Sequence, residues 1–282
     1  MSRKKAGEST LVANGQHNVS TRPIFAWPKV DSDKTTDFVA EETPVALVYN
    51  GVSHAVMMAS PWNLEAFAIG FSLSEGIVDR CDEIYAIDTQ TVYNGIEISL
   101  TISRQRFEQL KARRRMLAGR TGCGICGTES LDQLVVDPPA VTRRAAVSHQ
   151  AIFRATMALE AWQPVQQLTG AVHGAAWCVD DGTIIDVCED IGRHNALDKL
   201  IGTLIPMDGF RESGFLLISS RASYEILQKS ARANIEIVVA VSAPTSRAID
   251  MAEKAGITLV GFSREHRHVV YAGHQRLIES NN

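Results

Sequence analysis

The chain has 282 residues, enough for one large domain or two modest ones, and its apolar fraction of 45% is ordinary for a globular protein. The net charge of −4 argues against wholesale nucleic-acid binding. No apolar run reaches the roughly 18 residues of a membrane span, and no apolar core follows the basic N-terminal residues. We therefore expect neither a membrane helix nor a secretory signal. The odd number of cysteines fits a reducing compartment, and we expect a cytoplasmic protein.

The first 40 residues are polar and irregular, which predicts a flexible arm that becomes ordered only where it docks. A different pattern begins at residue 41. Two β-prone runs, 44–49 and 52–58, flank Asn50-Gly51, which is a strong signal of a two-residue hairpin.

A helix and a second hairpin are predicted next. Ser60 and Pro61 suit the N-cap and the first helical position, and Gly76 suits the helix end. The apolar residues at helical spacing are Leu64, Phe67, Ala68 and Phe71. Asn94-Gly95 predicts the hairpin turn, and residues 96–102 alternate as a strand with one buried face.

Two cysteines, Cys123 and Cys126, lie in a glycine-rich loop over residues 120–127. Ser103 is the predicted cap of the helix that leads into this loop. That segment is strongly basic, with Arg104, Arg106, Lys111, Arg113, Arg114, Arg115 and Arg120. Positive charge favours the thiolate, which is the reactive form of cysteine. The pattern therefore predicts sulfur chemistry at Cys123 and Cys126.

The residues alone leave two alternative roles open for the cysteine pair. A structural zinc site needs about four ligands, but Cys81, Cys178 and Cys188 are scattered singly and no second C-x-x-C occurs. An ordinary structural pair is the remaining alternative. The arginines have a simple alternative role too, as a solvated helix face.

A boundary between two subregions is predicted at residues 137–139, where Asp-Pro-Pro occurs. The expected regions are an arm over 1–40, an N-terminal α+β subdomain over 41–137 and an α/β subdomain over 138–282. In the last region Ser148 begins a helix that runs to about residue 162. The turn at Asp181-Gly182 then separates strands over 175–179 and 184–187.

Charged residues crowd a predicted strand–turn–helix junction at residues 189–199. They are Glu189, Asp190, Arg193, His194 and Asp198. Loops at strand ends often carry chemistry, so this cluster is a candidate site. The simpler interpretation is an N-cap at Asp190 with an i,i+4 pair between His194 and Asp198.

The last third of the chain alternates strand and helix. The predicted segments are strand 215–218, helix 222–232, strand 235–241, helix 246–255 and strand 257–262. This βαβαβ order implies parallel strands with right-handed crossovers. The loops 219–223, 242–246 and 263–267 should meet at the carboxyl edge, where open sheets bind ligands. Two of them begin helices, so we expect a phosphate-bearing ligand there.

Six stretches resemble one family, the formate dehydrogenase accessory sulfurtransferases or FdhD sulfur carriers. The stretches are residues 42–45, 122–127, 189–199, 220–225, 242–245 and 259–264. The resemblance implies a cytidine-deaminase-like α/β core, with the cysteine loop carried by an N-terminal β-hairpin and helix subdomain. It also implies a homodimer.

The function implied by the resemblance is a sulfurtransferase that acts through a cysteine persulfide. Such proteins pass sulfur from a cysteine desulfurase to the molybdenum cofactor of formate dehydrogenase, Mo-bis(molybdopterin guanine dinucleotide). In this sequence the persulfide carrier is Cys123 and its companion is Cys126. The cofactor-binding residues are Phe262, Ser263, Arg264, Glu265, His266 and Arg267. No intrinsic metal, nucleic acid or membrane partner is implied.

Three residues depart from the family pattern. Glu265 and His266 stand where smaller residues are usual, and Val269 stands where an Asn is frequent. Two alternative functions are a cofactor-binding chaperone of formate dehydrogenase and a zinc-dependent deaminase-like hydrolase. The chaperone would not need the cysteines. The hydrolase would need an H-x-E before a P-C-x-x-C, and this order is missing.

Overall fold

The computed structural model describes residues 19–25, 36–118, 139–142, 145–207, 213–264 and 267–279. Strands β1 (Val19–Pro23) and β2 (Thr36–Ala40) form an antiparallel ribbon within the predicted N-terminal arm. No helix in the described ranges is long and apolar enough to cross a membrane.

A four-stranded sheet and two helices form the N-terminal part. The strands are β3 (Thr43–Tyr49), β4 (Val52–Ala59), β5 (Ile84–Val92) and β6 (Gly95–Ile102), and the sheet order is β4-β3-β6-β5. Helix α1 (Leu64–Ser74) packs Phe67, Ala68 and Phe71 into one apolar cluster with this sheet. Helix α2 (Arg104–Ala118) follows β6.

Both predicted hairpins exist, with one shifted turn. Asn50 and Gly51 take positive φ values of 47° and 78° between β3 and β4, so the first turn is confirmed. In the second hairpin Val92 pairs with Gly95, so the turn residues are Tyr93 and Asn94 rather than Asn94 and Gly95. Gly95 instead opens β6, where a Cβ would overlap the carbonyl oxygen of Pro44.

The predicted start of α1 is wrong by three residues. Its N-cap is Asn63, and Ser60 bonds to a distant part of the chain instead. The backbone N–H of Ser60 donates to Asp190 at 3.0 Å, and its carbonyl oxygen accepts from Lys199 at 3.0 Å. The predicted end is confirmed, because Gly76 has a φ of 64° just beyond the helix.

A six-stranded sheet forms the C-terminal part, in the order β13-β12-β11-β10-β8-β9. These strands are β8 (His173–Val179), β9 (Ile184–Asp190), β10 (Gly214–Ile218), β11 (Ile237–Ala240), β12 (Thr258–Arg264) and β13 (Arg267–Ala272). Strands β10, β11 and β12 are parallel, which confirms the predicted βαβαβ unit. The short strands β7 (Val147–Ser148) and β14 (Leu277–Ile278) pair separately.

Helices cover both faces of the six-stranded sheet. On one face pack α5 (Arg193–Leu204), α6 (Tyr224–Arg232) and α7 (Ser246–Ala255). On the other face packs α3 (His149–Ala158), which is followed by a 3₁₀ turn (Leu159–Trp162) and by α4 (Pro164–Thr169). Ser148 caps α3 as predicted, since its Oγ accepts from the Ala151 N–H at 3.1 Å. The architecture is therefore a three-layer α/β/α sandwich.

Candidate functional site

A cavity of about 630 Å³ lies at the carboxyl edge of the parallel strands. One wall comes from the strand ends, with Ser219 after β10, Val241 after β11, and Ser263, Arg264 and Arg267 around the β12–β13 connection. The other wall comes from α3, the 3₁₀ turn and α4. Its residues are Thr156, Met157, Leu159, Glu160, Gln163 and Gln166. The cavity thus lies at the sheet edge where the sequence predicts a ligand.

Phe262 changes which side chains face this cavity. It is a non-glycine residue with a φ of 51°, in the left-handed region, and the β12–β13 register is irregular from Gly261 to Arg264. The side-chain alternation of β12 is broken there. Val260 and Ser263 therefore both contact the α3 layer, and Phe262 does not line the cavity.

Ser263 ties the end of β12 to α3. It is fully buried, and its Oγ is 2.7 Å from Oγ1 of Thr156. Thr156 donates its own hydroxyl proton to the carbonyl oxygen of Ile152 at 2.8 Å, so Ser263 is the donor in the shared bond. This bond fixes the two cavity walls relative to each other.

Arg264 and Arg267 face each other across the β12–β13 connection, where they form a register pair. Both are exposed and line the cavity mouth. In the described ranges no acidic side chain forms an ion pair with either of them. Two guanidinium groups so placed are suited to a phosphate or carboxylate. The other two predicted residues of this stretch, Glu265 and His266, lie outside the described residues.

The opposite wall supplies an acid and an amide that were not predicted from the sequence. Glu160 is exposed at the cavity, whereas Gln163 is only 4% exposed. No hydrogen-bond partner for Nε2 of Gln163 exists among the described residues. The amide packs against Gly174 on β8, where a Cβ would collide with it. No local sequence pattern indicates this burial, because it results from packing against a distant strand.

Glu189 holds this wall in place. Its carboxylate accepts hydrogen bonds from the N–H groups of Val165 at 3.0 Å and Gln166 at 2.8 Å, at the start of α4. Burial raises the pKa of Glu189, and these two bonds oppose that rise. The residue is therefore a structural support of the cavity wall.

Asp190 forms a buried ion pair. Its carboxylate lies 2.7 Å from Lys199 Nζ and also accepts from the N–H of Gly192 at 2.8 Å. No side-chain cap bond forms at the helix N-cap, which is Gly192, so the predicted cap at Asp190 is wrong. Asp190 is used in the buried ion pair and in the turn before α5.

Asp198 also forms a buried ion pair, with Lys229 on α6. The distance from Nζ to the carboxylate is 2.9 Å, and both side chains are more than nine-tenths buried. The predicted i,i+4 pair of His194 with Asp198 is therefore wrong. Helical spacing alone does not show that Lys229, on another helix, forms the ion pair with Asp198.

His194 lies at the same junction with Ser223 and Glu225. Its Nε2 is 3.3 Å from Ser223 Oγ and 3.7 Å from the Glu225 carboxylate. Burial, and then the charge of Arg193, lower the pKa of His194 to about 4. Burial and two arginines likewise lower the pKa of His173. Both imidazoles are neutral at pH 7.

The predicted sulfur residues, Cys123 and Cys126, lie outside the described residues. The three other cysteines are described, and each is unsuited to nucleophilic chemistry. Burial raises the pKa of Cys188 to about 12 and also raises the pKa of Cys81 and Cys178, so their thiols stay protonated.

The basic helix α2 is partly neutralised by nearby acids. Arg106 pairs with Glu83 at 2.7 Å and with Asp79, and Lys111 pairs with Glu108 at 2.7 Å. These two cations therefore help to hold the helix and its surroundings together. In the described ranges no group of three or more His, Cys, Asp or Glu side chains is arranged to hold a metal ion.

The fold and the cavity define an α/β protein with two arginines beside a cavity at the carboxyl edge of its parallel strands. Residues 40–278 match the model of the FdhD/NarQ family, so the chain belongs to this family. A protein of Cupriavidus necator named Sulfur carrier protein FdhD is 51% identical over 258 residues, covering 92% of this chain and 90% of that protein.

A second relative carries the same name. The Sulfur carrier protein FdhD of Acinetobacter baylyi is 50% identical over 237 residues, covering 84% of this chain and 86% of that protein. The fold is also similar to the crystal structure of a protein from Desulfotalea psychrophila described as a formate dehydrogenase accessory protein. The TM-score is 0.70 at 22% identity, covering 92% of this chain and 99% of the other.

Proposed function

We propose that this protein is a sulfur carrier in formate dehydrogenase maturation, which passes persulfide sulfur from a cysteine desulfurase to Mo-bis(molybdopterin guanine dinucleotide). The observation that carries this proposal is the roughly 50% identity to two proteins named Sulfur carrier protein FdhD. The cofactor is the substrate here, since it receives the sulfur. We also propose a cytidine-deaminase-like core, a cytoplasmic location and a homodimer.

The proposed chemistry uses the two loop cysteines in turn. The Cys123 thiolate attacks the outer sulfur of the donor persulfide, which forms the Cys123 persulfide and releases the donor thiolate. The Cys126 thiolate then attacks the inner sulfur of that persulfide. A Cys123–Cys126 disulfide forms, and the outer sulfur leaves with the bonding electron pair as sulfide for the cofactor. A cellular dithiol must reduce the disulfide before the next cycle.

The cavity at the sheet edge suits the nucleotide end of the substrate. Arg264 and Arg267 supply two exposed guanidinium groups, and Ser219 and Ser263 supply hydroxyl groups. Guanidinium groups bind phosphate oxygens through charge-assisted hydrogen bonds. The cavity volume is in the range of small-molecule sites. A cofactor chaperone would also bind the nucleotide, so nucleotide binding does not distinguish the two functions. Only the sulfur carrier needs the two cysteines.

The relay is tested by replacing Cys123 with Ala in a strain that depends on this protein. Because the residue lies in a glycine-rich loop, the fold should persist. We expect formate dehydrogenase protein to accumulate without activity. The matched control is Cys81→Ala, which removes a thiol whose pKa is raised by burial and should leave activity unchanged. Near-normal activity in Cys123→Ala would show that binding without sulfur transfer suffices.

The nucleotide cavity is tested by titrating GDP into the wild-type protein and into Arg264→Ala by calorimetry. Loss of one charge-assisted contact, worth about 1.5–3 kcal/mol, should weaken binding roughly tenfold or more. Arg80→Ala is the control, because Arg80 is an exposed arginine of the N-terminal part. Equal affinity in Arg264→Ala would remove Arg264 from the site, and no GDP binding at all would reject the cavity.

A further inference from the structure

A second group of basic side chains surrounds the start of β8. His173 is the first residue of β8 and pairs in register with Asp190, the last residue of β9. The neighbouring Gly174 bonds to Ser219, which follows β10. The Gly174 N–H donates to Ser219 Oγ at 2.9 Å, and the Gly174 carbonyl oxygen accepts from the Ser219 N–H at 3.0 Å. The ends of β9 and β10 therefore meet beside His173.

His173 lies on the opposite face of the sheet from the cavity. Side chains alternate between the two faces along a strand. Gly174 faces the cavity wall, since a Cβ on it would collide with Gln163. Ala175 and Trp177, which alternate in phase with His173, pack into the apolar cluster that includes α5 and α6. The imidazole is therefore among groups that the proposed nucleotide cavity does not use.

Two arginines come from the connections beside His173. Arg193 is the first residue of α5 and follows Asp190 by three positions. Arg221 is an exposed residue between β10 and α6. In the described ranges no acidic side chain forms an ion pair with either arginine. The Nε atom of Arg193 is buried and has no hydrogen-bond partner in those ranges. Both guanidinium groups thus have donors for a ligand.

The charges of both arginines act on His173. Burial, and then Arg193 and Arg221, lower the pKa of His173, whereas Asp190 opposes them. The charge of Asp190 is balanced by Lys199, whose Nζ lies 2.7 Å from its carboxylate. His173, Arg193 and Arg221 form what we term the histidine–arginine cluster. This cluster therefore carries an excess of positive charge.

One more acid, Glu225, belongs to the α6 side of this region. Its carboxylate lies 3.7 Å from Nε2 of His194. Burial alone would raise the pKa of Glu225, but hydrogen bonds from its own backbone N–H and from Ser223 contribute to lowering it. The carboxylate is therefore ionised beside His194. An anion is favoured between the two arginines and His173, and not at His194.

We propose that the histidine–arginine cluster binds a phosphate group. Each guanidinium group presents a fork of N–H donors that matches two oxygens, so two forks need more oxygens than one carboxylate offers. A phosphate group has enough oxygens and carries close to two negative charges, which match the two arginines. The neutral imidazole of His173 adds one N–H donor. A free phosphate ion and the phosphate group of a larger molecule share this chemistry. The site is separate from the nucleotide cavity, and the inference does not rest on it.

The test follows the histidine side chains of the full-length protein by NMR while inorganic phosphate is added. The variant His173→Asn identifies the resonance of His173. In the wild type we expect this resonance to shift saturably. Bound phosphate should also raise the pKa of His173, because a nearby negative charge favours the imidazolium. Arg193→Gln and Arg221→Gln should each weaken binding about tenfold, through the loss of one charge-assisted contact.

Two further variants serve as controls. Arg247→Gln is the matched control, because Arg247 is an exposed arginine near the start of α7. Arg264→Gln separates the cluster from the cavity and should leave the response of His173 unchanged. Ribose 5-phosphate is titrated in parallel. Binding of both ligands indicates a site open to phosphate esters, and binding of inorganic phosphate alone indicates a site for the free ion. Either result supports the proposal.

The inference is overturned if the His173 resonance does not shift, or if its shift stays linear with phosphate concentration. Equal affinity in Arg221→Gln and wild type would also overturn it. So would loss of the response in Arg264→Gln, which would show that phosphate binds in the cavity instead. Arg221 is exposed, so Arg221→Gln keeps the test valid even if Arg193→Gln fails to fold. The GDP titration is a separate measurement, so rejection of the nucleotide cavity leaves this inference standing.

Discussion

At the scale of single residues, His194 couples the strand–turn–helix junction to pH. Its native pKa of about 4 lies below the ordinary value of about 6.5, because burial and Arg193 disfavour the imidazolium. Above pH 6.5 the side chain is neutral in both the folded and the unfolded chain. Between pH 6.5 and 4 only the unfolded chain takes up the proton. His194 therefore lowers the free energy of unfolding as pH falls through this range.

This effect is measurable with His194→Gln. The wild-type free energy of unfolding should fall by about 1 kcal/mol more than that of the variant between pH 7.5 and pH 5, after allowance for partial solvent exposure. Urea denaturation at each pH gives the comparison. His173 and His268, whose pKa values are lowered as well, are present in both proteins and cancel in the difference. Parallel pH curves for the two proteins would contradict the prediction.

The sequence predicts residues of the strand-side wall of the cavity but not those of the helix-side wall. Arg264, Arg267 and Ser263 were predicted from the βαβαβ order and the family resemblance, and all three line the cavity. Phe262 does not, because its positive φ breaks the side-chain alternation of β12. Gln163 could not be predicted, since its burial results from packing against Gly174 on another element.

At the scale of elements, local signals located the turns and helix ends well. Sequence patterns of two to ten residues correctly predict three features: the residues of the β3–β4 turn, the Ser148 cap and the full length of α7. The predicted start of α1 is wrong because Ser60 instead bonds to Asp190 and Lys199, which lie some 130 residues further along the chain. Long-range partners of this kind leave no local pattern.

The crossing of α1 and α5 is another feature that only the structure shows. Gly70 on α1 lies against the backbone of Asp198, and Gly202 on α5 lies against the backbone of Ala66. A Cβ at either glycine would overlap a carbonyl oxygen of the other helix. The two helices therefore approach at backbone distance, and this crossing joins the N-terminal part to the six-stranded sheet.

At the scale of the whole molecule, Lys229 bonds across the boundary between the two parts. Its Nζ lies 2.9 Å from Asp198 on α5, 2.9 Å from Ser74 Oγ on α1 and 2.7 Å from Glu75 just after α1. The ammonium group also lies 5.2 Å from the ring centre of Phe71. One buried cation is thus shared by three helices from both parts of the chain.

Replacing Lys229 with Met should destabilise the protein strongly. The methionine keeps most of the side-chain volume but leaves the fully buried Asp198 carboxylate without its cation, which typically costs about 3–5 kcal/mol. Urea denaturation followed by tryptophan fluorescence measures the loss. Lys111→Met is the control, because the exposed Lys111–Glu108 pair should contribute about 1 kcal/mol or less. The double variant Lys229→Met with Asp198→Leu removes both charges and should recover much of the loss. If Lys229→Met costs no more than Lys111→Met, the buried pair does not hold the two parts together.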